Sequence, residues 1–135
     1  MSFVKNMMIK IHRRTGNRFM GMDLLYLTTV GAKTGEKRAS PVTRFPDGDS
    51  AWLVVASNNG AARNPAWYHN LMAHPDQVWI EVDGHSYRAS AKQLDGPERD
   101  AAWPRIVALH PRFGAYQEKT GRVLPVVRLT TTGDA

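Results

Sequence analysis

The pair Asp83-Gly84 stands between two runs that favour extended backbone, "QVWIEV" (77–82) and "HSYRASAKQL" (85–94). An Asp-Gly connection of two residues suits a type I′ turn, whose twist matches that of two antiparallel strands, so the segment predicts a hairpin. Similar punctuation recurs upstream. "LLYLTTV" (24–30) stops at Gly31, "KRASPVTRF" (37–45) follows a glycine-containing turn, and "PDGD" (46–49) leads into "AWLVVAS" (51–57). Pro41 has no N–H to give to a ladder and predicts an edge position or a bulge. The first half is expected to be a β-meander. The last strand is expected at "VLPVVRL" (123–129), with residues 130–135 frayed.

Helices fall between these runs. Asn64 followed by Pro65 predicts an N-cap and first helical position, and the helix should run to about His74, before Pro75. A second helix is predicted from Pro97 to His110, kinked or broken at Pro104, with a short helical piece near residues 113–119. At the N-terminus, Phe3, Val4, Met7, Met8 and Ile11 recur at helical spacing among Lys5, Lys10, Arg13, Arg14 and Arg18. Residues 1–21 therefore predict a basic amphipathic helix, which either packs on the domain or lies on an anionic membrane surface. Six or so mostly antiparallel strands with inserted helices give an α+β class built on a small barrel. The βαβ alternation of a dinucleotide fold is missing. At 135 residues, one domain over 1–135 is expected.

Composition narrows the chemistry. Lys plus Arg number 18 against 12 Asp plus Glu, giving a net charge of +6, so an anionic partner is favoured: nucleic acid, acidic lipid or a phosphorylated small molecule. The chain has no cysteine, which excludes disulfides, thiol catalysis and zinc-thiolate sites and is compatible with a reducing cytosol. Ser57 lies in "VASNNG" rather than in a Gly-x-Ser-x-Gly elbow, and the five histidines show no metal-ligand spacing. No apolar run approaches the roughly 18 residues of a membrane span, and a cytoplasmic protein is expected.

Two stretches remain as candidate sites. "TTVGAKTGEKRASP" (28–41) gathers glycine, lysine and threonine, but Lys33-Thr34 precede Gly35 and a strand follows, which is not the order of a P-loop. The alternatives are an anion nest flanked by Lys33, Lys37 and Arg38, or a solvated basic hairpin. In "NPAWYHNL" (64–71), helical spacing puts Trp67, Asn70 and Leu71 on one face. That face either buries a core tryptophan, or seats a flat ligand at Trp67 while Asn70 fixes the loop that holds it.

Taken together, "LTTVGAKTGEKRASPV", "VVASNNGAARNPAWYHNLMAHP" and "LHPRFGAYQEKTGRVLPVVRL" resemble the deazaflavin-dependent nitroreductases and F420H2-dependent quinone reductases of actinobacteria, from about Leu24 to Leu129. The resemblance implies a split β-barrel that binds coenzyme F420 and passes hydride from C5 of the reduced deazaflavin to quinones, activated enones or nitroaromatics. It implies that Lys33, Thr34, Gly35 and Arg38 cradle the anionic tail, with cofactor-binding Pro41 on the strand that follows, that Ser57 and Asn58 lie at the strand end beside the deazaflavin, and that Trp67 and Asn70 close over that region. Tyr116 matches a tyrosine near the acceptor. Asn58 stands where related members can carry lysine, so one tail contact is either lost or moved to Arg63. Thr43, His110 and Phe113 replace tyrosines of the nitroimidazole-reducing member, so quinone or enone reduction is expected over nitroimidazole activation. His110 is either a proton donor or a helix cap. A non-catalytic F420 carrier is the alternative. A nucleic-acid-binding barrel is disfavoured because aromatic residues do not interleave with the basic loop. Both a monomer and a homodimer are compatible with the sequence, as is peripheral contact of the N-terminal helix with the inner face of the membrane.

Overall fold

Every strand pairing among the described residues is antiparallel, the arrangement that the Asp83-Gly84 turn predicts. The computed structural model describes residues 18–19 and 22–135. In chain order its strands are β1 (Arg18–Phe19), β2 (Met22–Val30), β3 (Lys37–Thr43), β4 (Phe45–Pro46), β5 (Ala51–Val55), β6 (Val78–Val82), β7 (His85–Gln93) and β8 (Val126–Asp134). Helices α1 (Ala66–Ala73), α2 (Gly96–Leu109) and α3 (Arg112–Lys119) are inserted between them, with a 3-10 turn at Asn58–Gly60. The class is α+β and the sheet is a split barrel, as expected. β1 and β4 add two strands to the six anticipated, since two residues are too few to show a period.

The β6–β7 hairpin closes with Val82 opposite His85, and Asp83 and Gly84 take φ angles of 51° and 85°. From there the sheet runs β3-β2-β6-β7-β8-β5-β4, with β1 paired to the first residues of β2. β3 pairs with β2 alone, so Pro41, opposite Tyr26, sits on an edge strand, where its missing N–H breaks no ladder. The expected meander does not continue, because β5 pairs with β4 and β8 rather than with β3. The chain leaves the edge of β2 at Arg44, whose backbone N–H donates to the Asp23 carbonyl (2.9 Å) and whose guanidinium donates to the Leu24 carbonyl (2.8 Å). β3 and β5 then meet without a ladder, and this seam is the split in the barrel.

Two apolar clusters hold the fold. Leu25, Leu27, Val54, Ile80, Val127 and Leu129 fill the barrel, and fully buried Leu71 of α1 plugs it. Phe45, Leu53, Val55 and Leu124 pack the other cluster with Ile106 of α2 and Phe113 of α3. Dense interiors of this kind make truncation costly: Leu71→Ala should destabilise by roughly 2–5 kcal/mol.

Three expectations need correction, and a fourth falls mostly outside the described residues. Residues 130–134 do not fray: β8 extends to Asp134, opposite Tyr87, because the nine-residue β7 offers a template of matching length. Pro104 does not break α2, which runs as one element from Gly96 to Leu109; Pro104 and Asp100 are both exposed, so water can satisfy the carbonyl that loses its donor. The cap of α1 is Pro65, in extended conformation, rather than Asn64, whose side-chain oxygen accepts a bond from Arg122 instead. The helix expected over residues 1–21, and with it the membrane reading, lies outside the described residues apart from Arg18–Phe19, which form a strand. No helix among the described residues is long and apolar enough to cross a membrane.

Candidate functional site

The six-residue connection between β2 and β3 is a closed turn. The Gly31 N–H donates to the Glu36 carbonyl (2.7 Å), the Gly35 N–H to the Gly31 carbonyl (2.9 Å), and the Thr34 hydroxyl accepts the Glu36 N–H (3.2 Å). Gly35 needs its positive φ of 74°, and a Cβ on Gly31 would stand 2.6 Å from the Thr34 hydroxyl. The turn is tied to α1 by Asn70, which is buried. Its Oδ1 accepts the Ala32 N–H at 2.9 Å and its Nδ2 donates to the Thr29 hydroxyl at 3.1 Å.

Beside this turn lies a cavity of about 490 Å³ whose wall includes Lys33, Thr34, Arg38, Ser40, Trp67 and Asn70, with no carboxylate. Arg38 is opposite Thr29 in the ladder, so it stands at the mouth of the barrel. Glu36 approaches Arg38 only to 3.7 Å, and its side chain is 71% exposed, so solvent screens the pair and Arg38 keeps its charge for the cavity. Lys37 is turned elsewhere, its ammonium 3.9 Å from the centre of the Trp79 ring. Gly35 shapes the turn without touching the cavity wall.

A second cavity, of about 370 Å³, opens at the seam between β3 and β5. Pro41 and Thr43 line one side, Ser57, Asn58 and Asn59 another, and Arg112, Phe113 and Tyr116 of α3 cover it. Trp67 belongs to both walls, and neighbouring Ser40 and Pro41 on β3 face one cavity each, so the two lie side by side. Ser57 is buried, and Asn58 and Asn59 hold φ angles of 47° and 56°, a backbone strain that collects at functional loops.

The structure thus brings Lys33, Thr34, Arg38, Trp67 and Asn70 together in one cavity and Pro41, Ser57, Asn58, Trp67 and Tyr116 in the other. Besides Gly35, two candidates do not join them. His110 packs its ring edge-on against Phe45 (centroids 5.6 Å apart), and its backbone N–H bonds the Ile106 carbonyl at the end of α2. Arg63 is exposed, and it is its carbonyl that is engaged, accepting from the Asn58 amide at 3.0 Å and from Arg122 at 3.2 Å. The Tyr116 ring is edge-on to Phe113 at 5.5 Å, which fixes its orientation at the wall.

Two residues were missed from sequence. Arg122 lies behind the Ser57–Asn64 loop, where its guanidinium donates to the carbonyls of Ala56, Ser57, Ala61 and Arg63 and to the Asn64 side chain. No local pattern marks it, because its partners are about 60 positions away. Arg112 was legible in principle, since it precedes Tyr116 by four residues and so shares its helical face. Among the described residues no group of His, Asp or Glu could hold a metal ion.

A model of the F420H(2)-dependent quinone reductase family matches residues 2–131. The F420H(2)-dependent quinone reductase Rv1261c of Mycobacterium tuberculosis is 41% identical over 121 residues, covering 87% of this chain and 80% of that one. Among solved structures, the F420-H2 dependent reductase FDR-A superposes with a TM-score of 0.71 at 34% identity, covering 78% of this chain and 92% of that chain. A domain-swapped dimer superposes at 0.72 and 30% identity, covering 94% and 96%.

Proposed function

The chain belongs to the F420H(2)-dependent quinone reductase family and is an F420H2-dependent oxidoreductase; we propose that its acceptors are quinones and activated enones and that the paired cavities are where cofactor and acceptor meet. The observation that carries this reading is the sharing of Trp67 by an acid-free cationic cavity and a less charged cleft at the barrel seam. A molecule with a polyanionic tail and a flat ring fits that pair. Lys33, Thr34 and Arg38 would take the tail through charge-assisted hydrogen bonds, and Pro41, Ser57 and Trp67 would flank the ring.

When bound, the reduced deazaflavin supplies a hydride. The protein's own part is then position and electrostatics, which explains why the site needs no triad, metal or thiol. α3 covers the cleft and limits water. The Tyr116 hydroxyl would hydrogen-bond the acceptor and hand it a proton that solvent replaces. Thr43 and Phe113 line the cleft where the nitroimidazole-reducing relative carries tyrosines, which supports quinones and enones over nitroimidazoles as acceptors.

The test is to mix the protein with reduced F420 and menadione and to follow the return of the oxidised deazaflavin absorbance. Turnover is expected. Tight F420 binding with no turnover across quinones and enones would replace the reductase reading with that of a carrier.

A further inference from the structure

Arg112 opens α3 and is the one formally charged side chain on the wall of the 370 Å³ cleft, among the described residues. Arg44, Arg99, Arg105, Arg122 and Arg128 each donate to a carbonyl or carboxylate. The guanidinium of Arg112 has no such partner among the described residues, although the residue as a whole is partly buried. A cation on the cleft wall with no carbonyl or carboxylate bound to it can take an anion arriving from outside. The N–H groups of Phe113 and Gly114 do not provide the alternative, because they donate to the carbonyls of His110 (3.1 Å) and Pro111 (3.0 Å). Tyr116, one helical turn on, shares the wall, so a donor that keeps its charge and a donor that can release a proton face the same space.

Resting on the reductase reading above, we propose that Arg112 binds the acceptor oxygen that becomes anionic as hydride arrives, and so selects acceptors that place an oxyanion against α3. The acceptor gains two electrons and one hydrogen as hydride, and a carbonyl electron pair moves onto oxygen. A quinone becomes a hydroquinonate and an enone an enolate. One proton from Tyr116, restored from solvent, completes the product, while the cofactor is oxidised by the same two electrons. A preplaced cation on the cleft wall stabilises that charge without reorganising as it forms.

The test uses two naphthoquinones with the full chain free of cofactor. 2-Hydroxy-1,4-naphthoquinone, ionised near neutral pH, presents an anionic ring oxygen, and menadione presents the same ring system uncharged. Calorimetric titration of wild type, Arg112→Gln and Arg112→Lys should show the anion bound about tenfold more weakly by the Gln variant, the loss expected of one charge-assisted bond, with Lys intermediate. Menadione affinity should stay within about twofold, because its ground state carries no charge. In turnover of menadione with reduced F420, Arg112→Gln should lower kcat with little change in KM. Equal weakening toward both quinones, or no weakening toward the anion, would overturn the proposal. Thermal unfolding of each variant identifies a misfolded one, and Arg112→Lys then carries the comparison. Failure of the reductase reading would look different: wild type would not turn over menadione at all, whatever the anion binding showed.

Discussion

Asn70 reaches across 38 residues of chain to accept the backbone N–H of Ala32 at 2.9 Å, and its other amide atom donates to the Thr29 hydroxyl at 3.1 Å. A buried side chain thereby sets the position of the β2–β3 turn relative to the helix that carries Trp67. Replacement by leucine would fill similar space but leave the Ala32 N–H and the Thr29 hydroxyl without partners. Asn70→Leu should cost about 1–3 kcal/mol in urea unfolding and should weaken F420 binding along with it. Asn70→Asp keeps the acceptor for the Ala32 N–H, and the Thr29 hydroxyl can rotate to donate to its second oxygen, so its fold should survive better. Its carboxylate would face the cationic cavity, and cofactor affinity measured by fluorescence titration should fall more than stability does.

The cavity beside that turn makes a ranked prediction for three neighbouring cations. Lys33→Ala and Arg38→Ala should each weaken F420 by about 1–3 kcal/mol, the value of a charge-assisted hydrogen bond to phosphate or carboxylate. Lys37→Ala should matter far less, since its ammonium lies on Trp79 rather than on the cavity wall. Raising salt should shrink the difference between wild type and the first two variants. Equal effects at all three positions would mean that the loop acts only through net charge.

These residues show how far the sequence could be read. The hairpin at Asp83-Gly84, the edge position of Pro41 and the shared face of Trp67 and Asn70 follow from local rules of turn, missing donor and helical spacing, so they were legible. The tie between Asn70 and Ala32 was suggested by the helical face, but its two bonds are set by tertiary packing. The seam between β3 and β5 was not legible, because it arises where the chain fails to make the nearest pairing. It is there that the cleft opens. Arg63 and His110 were assigned by motif position, yet a side chain's direction depends on what competes for it. In Arg63 the carbonyl is engaged while the side chain is exposed, and Phe45 holds the ring of His110.

Arg122 supports a third prediction. Its guanidinium holds the carbonyls of Ala56 and Ser57 at the end of β5 together with those of Ala61 and Arg63 beyond the 3-10 turn, fixing the loop that presents Ser57 and Asn58 to the cleft. Arg122→Ala would leave several partly buried carbonyls without donors and should destabilise the protein by about 3 kcal/mol by urea unfolding. Arg122→Lys should recover only a small part, because one ammonium cannot span acceptors on both sides of the loop. A loss below about 1 kcal/mol would show that the loop holds its own shape.

Acid sensitivity should come in part from the opposite side of the barrel. Arg128 of β8 donates to Asp47 at 2.6 Å and to Glu98 of α2 at 3.0 Å, while Lys92 of β7 approaches Glu98 at 3.4 Å. The Arg128 hydrogen bond, and then Lys92, hold the Glu98 carboxyl below its ordinary value near 4.5, and the bonds to Asp47 and Glu98 raise Arg128. A carboxylate whose folded pKa is depressed stabilises the fold fully above its unfolded pKa, and the contribution disappears as pH falls through the folded pKa. The unfolding midpoint in urea should therefore be flat in this contribution from neutrality to about pH 5 and decline below about 4.5. Glu98→Gln should be less stable than wild type at pH 7 by a small margin, because Glu98 is exposed, and the two curves should converge toward pH 3. High salt should narrow the gap at pH 7 in the same way. A gap that persists unchanged at pH 3 would mean that Glu98 acts through packing on α2 rather than through its charge.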